Sequence, residues 1–282
     1  MEILVAILFG IVEGITEWLP ISSTGHMILL NVIIPLNVSD DFYSVFEVVI
    51  QLGAILAVVI LFWKQIFTFG KKANRHPLAK KGILSYVKGD IFVLWIKILV
   101  ACIPAAIVGI LFNDYFEALF YNSTCVAIAL IVFGVAFIVI ETVHKNMHPK
   151  VNHLKQLTML HVILIGVFQL IAAIFPGTSR SGATIVGALL IGVARPVAAE
   201  FTFFLAIPTM VAASGLKLIK FGFNYTGHEI AVLLTGCVVS FLVSVFAIKF
   251  LMGYIKKHDF TVFGYYRIIL GVVVLGYFLI FT

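Results

Sequence analysis

The residues best suited to chemistry form a short polar segment near the N-terminus of a largely apolar sequence. Ser23 and His26 lie three residues apart, about one helical turn, and an imidazole is the usual base for activating a hydroxyl nucleophile. Glu17 is placed to orient this histidine. Glu13 and Glu17 are four residues apart and so share one helix face, where two carboxylates could hold a divalent cation or perform acid–base chemistry. The alternative is an interfacial carboxylate pair beside a structural histidine.

A second polar segment supplies positive charge and further hydroxyl groups. Residues 178–182 read TSRSG and residues 22–25 read SSTG, and each precedes a short apolar run. Serine and threonine favour helix N-caps, where free N–H groups and the positive end of the helix dipole attract anions. Arg180 adds a planar fork suited to phosphate oxygens. Helix caps alone would explain the serines but not the arginine, so we predict an anion site.

The elements that must position these residues are membrane helices. The chain has 282 residues, of which 62% are hydrophobic and only 11% charged, whereas soluble domains average about 25% charged. A membrane-spanning helix needs about 20 apolar residues. Six segments qualify: roughly 42–63, 90–112, 122–141, 197–221, 229–252 and 263–281. The sequence therefore predicts a single integral membrane domain of the all-α polytopic class over 1–282.

Two further apolar stretches, 3–35 and 158–192, are interrupted by the polar segments. The flanks of each break are too short to cross a bilayer comfortably, and each break is too polar to face lipid. Non-helical backbone at membrane depth is tolerated where protein or a water-filled cavity surrounds it. We therefore predict two re-entrant helix hairpins whose polar tips meet near the middle of the membrane.

The two hairpins resemble each other in sequence, and each precedes three predicted spans. Because three is odd, the second copy would be inverted relative to the first, which predicts an inverted repeat of approximately 1–141 and 158–282. The alignment pairs these residues: Gly10 with Gly166, Glu13 with Gln169, Pro20 with Pro176, Ser22 with Thr178, Ser23 with Ser179 and, after a shift, Glu47 with Glu200. The roles of Glu47 and Glu200 stay open.

The basic residues predict the orientation of the chain. The net charge of +6 could indicate nucleic-acid binding, but most lysines and arginines lie in short loops between apolar spans, above all in 64–89. Such loops are cytoplasmic as a rule. We therefore predict no nucleic-acid partner, a multi-pass protein of the cell membrane in contact with bilayer lipids, and both termini outside the cytoplasm.

The stretches EGITEWLPISSTGH (13–26) and PGTSRSGAT (176–184) closely resemble the two signature motifs of bacterial undecaprenyl pyrophosphate phosphatases, the bacitracin-resistance family. The resemblance covers essentially the whole chain. It implies hydrolysis of undecaprenyl pyrophosphate, a polyprenyl pyrophosphate lipid, to the monophosphate, with a divalent cation such as Mg²⁺ or Ca²⁺ as cofactor. The functional positions that it implies are Glu13, Glu17, Ser22, Ser23, Thr24, His26, Ser179, Arg180 and Thr184, and Gly177 of the same motif is added as substrate-binding.

Together, the residues and the resemblance predict a membrane-embedded phosphatase. Ser23 is the expected nucleophile, His26 its base or acid, and Arg180 the group that stabilises charge on the phosphoryl oxygens. Glu13 and Glu17 hold the cation or tune the histidine. Attack by His26 or by metal-activated water stays open, as do the side to which the site opens and association into a homodimer. The alternative function is a lipid flippase or transporter, because inverted repeats with broken helices are also typical of transport.

Overall fold

The computed structural model describes residues 1–70, 76–79, 81–145, 148–222 and 224–281. Within these ranges the chain forms helices and isolated bridges but no β-strand. The α-helices are α1 (Glu2–Thr16), α2 (Ser23–Ile33), α3 (Asp40–Leu61), α4 (Trp63–Ile66), α5 (Gly89–Leu111), α6 (Asn113–Phe120), α7 (Ser123–His144), α8 (Met159–Ile174), α9 (Arg180–Leu190), α10 (Arg195–Phe221), α11 (Gly227–Tyr254) and α12 (Thr261–Phe281).

Six of these helices are long and apolar enough to cross a membrane: α3, α5, α7, α10, α11 and α12. They coincide with the six predicted spans, and their ends differ from the prediction by only a few residues. Large apolar side chains remain exposed along their outer faces, as on Ile110 and Phe246, which are 69% and 73% exposed. Such a surface is stable only against lipid. The prediction of six membrane-spanning helices is confirmed.

Two pairs of shorter helices carry the polar segments. Helices α1 and α2 have 15 and 11 residues and are joined by residues 17–22, which we call the first turn. Helices α8 and α9 have 16 and 11 residues and are joined by residues 175–179, the second turn. None of the four reaches the roughly 20 residues of a full span. The sequence breaks were therefore located correctly, and each separates two helices.

The short helices pack among the long ones in a corresponding way. Helix α1 packs against α11, and α8 packs against α5, while α3 packs against α10 and α7 against α12. Both contacts of the short helices depend on a glycine. A Cβ atom added to Gly10 would lie 2.8 Å from the carbonyl oxygen of Gly236, and one added to Gly166 would lie 2.6 Å from that of Ala101. These close approaches bring both turns into the interior of the bundle.

Candidate active site

Each turn ends in a serine that begins the following helix with an unusual backbone conformation. Ser22 and Ser179 have φ values of 73° and 68°, and they are the only non-glycine residues with positive φ in the described part of the chain. The Ser22 hydroxyl accepts a hydrogen bond from the Gly25 N–H (3.4 Å), and the Ser179 hydroxyl accepts one from the Gly182 N–H (3.2 Å). Non-glycine residues in this region cost free energy and cluster at functional sites. The predicted serine N-caps are confirmed.

The equivalence of these caps corrects the sequence alignment of the two segments. The alignment paired Ser22 with Thr178 and Ser23 with Ser179, but the structure gives Ser22 and Ser179 the same backbone conformation and the same capping bond. The true register is shifted by one residue at the turns. The pairs at 22/178 and 23/179 could not reveal this shift, because all four residues are serine or threonine, whereas the corrected register also pairs Gly25 with Gly182. In the corrected register Ser23 corresponds to Arg180.

Glu17 joins the two polar segments. Its Oε2 atom accepts a hydrogen bond from the Ser23 hydroxyl (2.9 Å), and its Oε1 atom accepts one from Nη2 of Arg180 (2.6 Å). The Ser181 hydroxyl donates to the Glu17 backbone carbonyl (3.3 Å). The Glu17 carboxylate is almost completely buried, so its charge is compensated by this arginine at close range. Residues 163 positions apart in the chain thus share one ion pair at the site.

His26 lies one turn after Ser23 in α2, but its hydrogen bonds go elsewhere. Its Nδ1 atom lies 2.6 Å from the Ser22 carbonyl oxygen, and its Nε2 atom lies 2.7 Å from the Tyr266 hydroxyl, whose ring stacks on the imidazole. A carbonyl oxygen can only accept, so Nδ1 carries a hydrogen. The predicted Ser23–His26 contact is therefore replaced by Ser23–Glu17. Thr24, also predicted to bind substrate, lies half-buried in the first turn of α2.

Thr184 and Thr202 both form hydrogen bonds with Arg180 and with each other. The Nη1 atom of Arg180 donates to the Thr202 carbonyl oxygen (3.2 Å) on α10. The hydroxyls of Thr184 and Thr202 lie 2.9 Å apart, and Thr184 also donates to the Arg180 carbonyl oxygen (2.9 Å). Thr184 is fully buried. The structure thus places this predicted substrate-binding residue where it holds α9 against α10 and fixes the arginine.

Glu13 is the residue best placed to require a cation. It is 1% exposed, and neither carboxylate oxygen has a hydrogen-bond partner within the described residues. Glu13 interacts electrostatically with Glu17, Glu47 and Arg180. A buried carboxylate without a partner is costly unless a proton or a cation neutralises it.

The donor set fits a cation that is completed by a ligand. No group of three or more His, Cys, Asp or Glu side chains is arranged to hold a metal in the part of the chain that the structure describes. Mg²⁺ is commonly held by one or two carboxylates together with waters and substrate phosphates. Glu13, with Glu17 beside it, matches this pattern rather than a cage made by protein alone.

Arg267 on α12 connects the two turns and was missed by the sequence analysis. It is fully buried, and it donates to the carbonyl oxygens of Pro20 (3.2 Å), Gly177 (3.0 Å) and Thr178 (2.7 Å). Gly177 has a φ of 89°, and a Cβ atom there would lie 2.6 Å from the Val126 carbonyl oxygen, so this residue shapes the backbone. An arginine within an apolar span was itself the signal that could have identified Arg267.

Glu47 and Glu200 line separate cavities. Glu47 accepts a hydrogen bond from the Tyr121 hydroxyl (2.9 Å) and lines a cavity of 340 Å³ beside Pro176 of the second turn. Glu200 lines a cavity of 510 Å³ together with Lys64 and other polar residues. Glu47 thus lines a cavity that borders the second turn, whereas Glu200 lines a separate cavity.

Known proteins similar to this chain are phosphatases by name. A sequence model of the family described as "Bacitracin resistance protein BacA" matches residues 6–273. An undecaprenyl-diphosphatase of Desulfitobacterium hafniense is 62% identical over 280 residues, which cover 99% of this chain and 96% of the relative. Undecaprenyl-diphosphatase 1 of Clostridium acetobutylicum is 59% identical, with 99% and 98% covered. An undecaprenyl-diphosphatase of Enterococcus faecalis is 56% identical over 275 residues, with 98% and 96% covered.

Proposed function

The chain belongs to the bacitracin resistance protein BacA family, and on that premise we propose that it hydrolyses undecaprenyl pyrophosphate to undecaprenyl phosphate and inorganic phosphate. The observation that carries this proposal is the buried contact of Glu17 with both Ser23 and Arg180. This contact brings a hydroxyl, a carboxylate and a guanidinium together within an apolar bundle, which supports their proposed roles as nucleophile, proton acceptor and phosphate-binding group. The reaction returns the carrier lipid of cell-wall synthesis to its monophosphate form, and it agrees with the bacitracin resistance in the family's name.

The first step is attack of the Ser23 oxygen on the terminal phosphorus of the lipid pyrophosphate. An O–P bond forms, the anhydride P–O bond breaks, and undecaprenyl phosphate leaves. The Ser23 proton passes to Oε2 of Glu17, which lies 2.9 Å from the hydroxyl oxygen. Water then hydrolyses the phosphoserine and releases inorganic phosphate. His26 supports the turn through the Ser22 carbonyl group rather than serving as the first proton acceptor.

Positive charge at the site stabilises the transition state. Helices α2 and α9 both begin at the site, so their N–H groups and the positive ends of their dipoles favour a phosphate there. Arg180 contributes a permanent charge beside Ser23. Such preorganised donors act on charge as it develops on the phosphoryl oxygens, and in a water-poor site they are stronger than in water.

Glu13, with Glu17 beside it, would hold the divalent cation. When bound there, Mg²⁺ or Ca²⁺ would neutralise charge on the pyrophosphate. The support comes from the two buried Glu13 oxygens that lack a hydrogen-bond partner in the described residues. Glu13 itself binds and orients, while Ser23 and Glu17 carry the bond-forming step and the proton.

The proposal also includes the arrangement of the helices in the membrane. The helix pairs α1–α2 and α8–α9 act as re-entrant hairpins, and residues 1–141 and 158–282 form an inverted repeat. The reciprocal packing of α1 on α11 and α8 on α5 supports this arrangement. Both termini then lie outside the cytoplasm. Cysteine labelling of intact cells near the C-terminus and at position 75, which lies outside the described residues, tests the orientation, and reaction of position 75 with an impermeant reagent contradicts it.

Phosphate release by the purified protein in detergent tests the activity directly. No second compartment exists in detergent, so a pure lipid flippase would release nothing. The phosphatase reading predicts stoichiometric undecaprenyl phosphate and inorganic phosphate, dependent on a divalent cation. Absence of product from well-folded protein with Mg²⁺ or Ca²⁺ would refute it. The flippase alternative gains no support from the named relatives, which are phosphatases by name.

A further inference from the structure

A cavity of 620 Å³ lies between the C-terminal halves of α5 and α10. Its size falls within the roughly 300–1,000 Å³ of ligand-binding cavities. Much of its wall consists of residues with small side chains, which leave the space open. These residues are Ala105, Ala106 and Gly109 on α5 and Ala212 and Ala213 on α10. We call this cavity the tail groove. Its outer rim includes Ile110 and Leu111, which are 69% and 67% exposed, so the groove opens sideways between apolar side chains.

The tail groove adjoins the smaller cavity that Glu47 lines. Val48, Ala173 and Lys217 line both the groove and the 340 Å³ cavity that contains Glu47. That smaller cavity borders Pro176 of the second turn. The two spaces together therefore run from a polar region beside the second turn to an apolar slot whose rim carries exposed apolar side chains.

The inner end of the groove also reaches towards Arg180. Arg180 donates to the Thr202 carbonyl oxygen on α10, about two helical turns before Thr209, which lines the groove together with Cys102. The Cys102 sulfur lies 3.6 Å from the Thr209 hydroxyl, which closes the wall between α5 and α10. Helix α10 thus contributes both to the support of Arg180 and to the wall of the groove.

We propose that the tail groove binds the first isoprenyl units of a polyprenyl pyrophosphate, and that Lys217 faces the pyrophosphate where the groove meets the polar cavity. The proposal deepens the phosphatase function and rests on it. An amphiphile with an anionic head and a branched apolar tail matches the polar cavity and the adjoining apolar groove. The Lys217 ammonium group, which donates to the Ser44 hydroxyl (2.6 Å), supplies charge complementarity at the junction. The remainder of the tail leaves through the open side into the bilayer.

Filling the groove should weaken binding according to tail length. Gly109 lines the groove, and a Cβ atom added there meets no atom within 4 Å, so the backbone accepts a side chain at this position and Gly109→Leu should occupy the groove. Gly215→Leu is the matched control, because Gly215 is also helical and unobstructed but does not line the groove. The substrates are pyrophosphates that carry one, three or eleven isoprenyl units.

For the wild-type protein and Gly215→Leu, we expect KM to fall as the tail lengthens. Gly109→Leu should raise the KM for the three- and eleven-unit substrates by about tenfold or more and leave the one-unit substrate unchanged. Lys217→Met should raise KM for all three substrates to a similar extent, because it acts on the head. Equal effects of Gly109→Leu and Gly215→Leu, or a tail-independent effect of Gly109→Leu, would overturn the groove assignment.

Photo-crosslinking provides a readout that does not depend on hydrolysis. A benzophenone-bearing three-unit pyrophosphate analogue should label peptides of α5 and α10 in the wild-type protein, less in Gly109→Leu, and less when unlabelled eleven-unit pyrophosphate competes. Labelling elsewhere, or labelling that phospholipid displaces and polyprenyl pyrophosphate does not, would assign the groove to ordinary lipid and reject the proposal. Loss of hydrolysis in the wild-type protein with correct labelling would instead refute the phosphatase function alone.

Discussion

The first and second turns share a backbone design but carry different chemistry. Both end in a serine with positive φ that caps the next helix, so each presents the N-terminus of a helix to the same site. In the corrected register, Ser23 of the first segment stands where Arg180 stands in the second. Glu17, just after α1, provides the acidic group that meets this arginine. A similar backbone thus supplies two helix N-termini, while the side chains differ and supply a hydroxyl from one segment and a guanidinium from the other.

Helices α1 and α8, which precede the two turns, also carry different side chains at corresponding positions. Glu13 on α1 and Gln169 on α8 are both nearly fully buried, and their side-chain polar atoms lack hydrogen-bond partners in the described part of the chain. One is a carboxylate and the other a neutral amide. The charge of Glu13 therefore distinguishes the first half-site as the one proposed to hold a cation.

Among changes in and next to the two turns, removal of the Ser23 hydroxyl should lower kcat the most. Ser23→Ala should lower kcat by about 10⁴-fold or more, as expected for loss of a nucleophile, whereas Ser22→Gly should cost far less because glycine tolerates the positive φ of the cap. Rapid quenching with labelled substrate and peptide mapping should find phosphate on Ser23. Phosphate on His26, or none together with an active Ser23→Ala protein, would contradict the assignment.

The contribution of Arg180, which begins α9 directly after the second turn, is tested by Arg180→Lys. This change keeps the charge but loses the planar fork that reaches Glu17 and the Thr202 carbonyl group together. We expect kcat/KM to fall by about 10²- to 10³-fold. Arg195→Lys is the control, because the Nε and Nη2 atoms of Arg195 donate to the Glu141 carboxylate away from the turns. Near wild-type turnover in Arg180→Lys would eliminate the guanidinium's proposed role.

The link between the turns is tested at Arg267. Arg267→Met removes the bonds to both turns, and misplacement of reacting groups by about 1 Å can cost up to about 100-fold in rate. We therefore expect a drop in kcat of that order. As a check that position rather than general stability is affected, added guanidinium should partly restore kcat in Arg267→Gly but not in Arg195→Gly. A protein that loses thermal stability while its kcat stays constant would reduce Arg267 to a purely structural residue.

Of these differences, the one between Glu13 and Gln169 should have the smallest effect on activity. Glu13→Gln makes the first half-site resemble the second, and it should raise the metal concentration for half-maximal activity by about tenfold, because cation affinity depends on ligand charge. Gln169→Asn should leave that midpoint unchanged. If Glu13→Gln lowers the rate but not the metal midpoint, the carboxylate does not hold the cation.

Much of the fold was predictable because hydrophobic length is a local property. The six spans and both polar breaks followed from runs of apolar residues, and the serine caps followed from residue type beside those runs. Charges within apolar segments marked Glu13, Glu17 and Arg180 for the same reason, since burying them in a membrane is costly without a function.

The tertiary structure alone decided which groups touch. Sequence spacing favoured His26 as the partner of Ser23, but the backbone conformation at Ser22 turns α2 so that the hydroxyl meets Glu17 while the imidazole meets Tyr266. The contacts of Arg267 with both turns were likewise invisible to spacing. Sequence periodicity shows which residues lie on the same face of one helix. Contacts between helices depend instead on the conformation of the turns and on close packing across the bundle. Both are determined jointly by residues that are far apart in the chain.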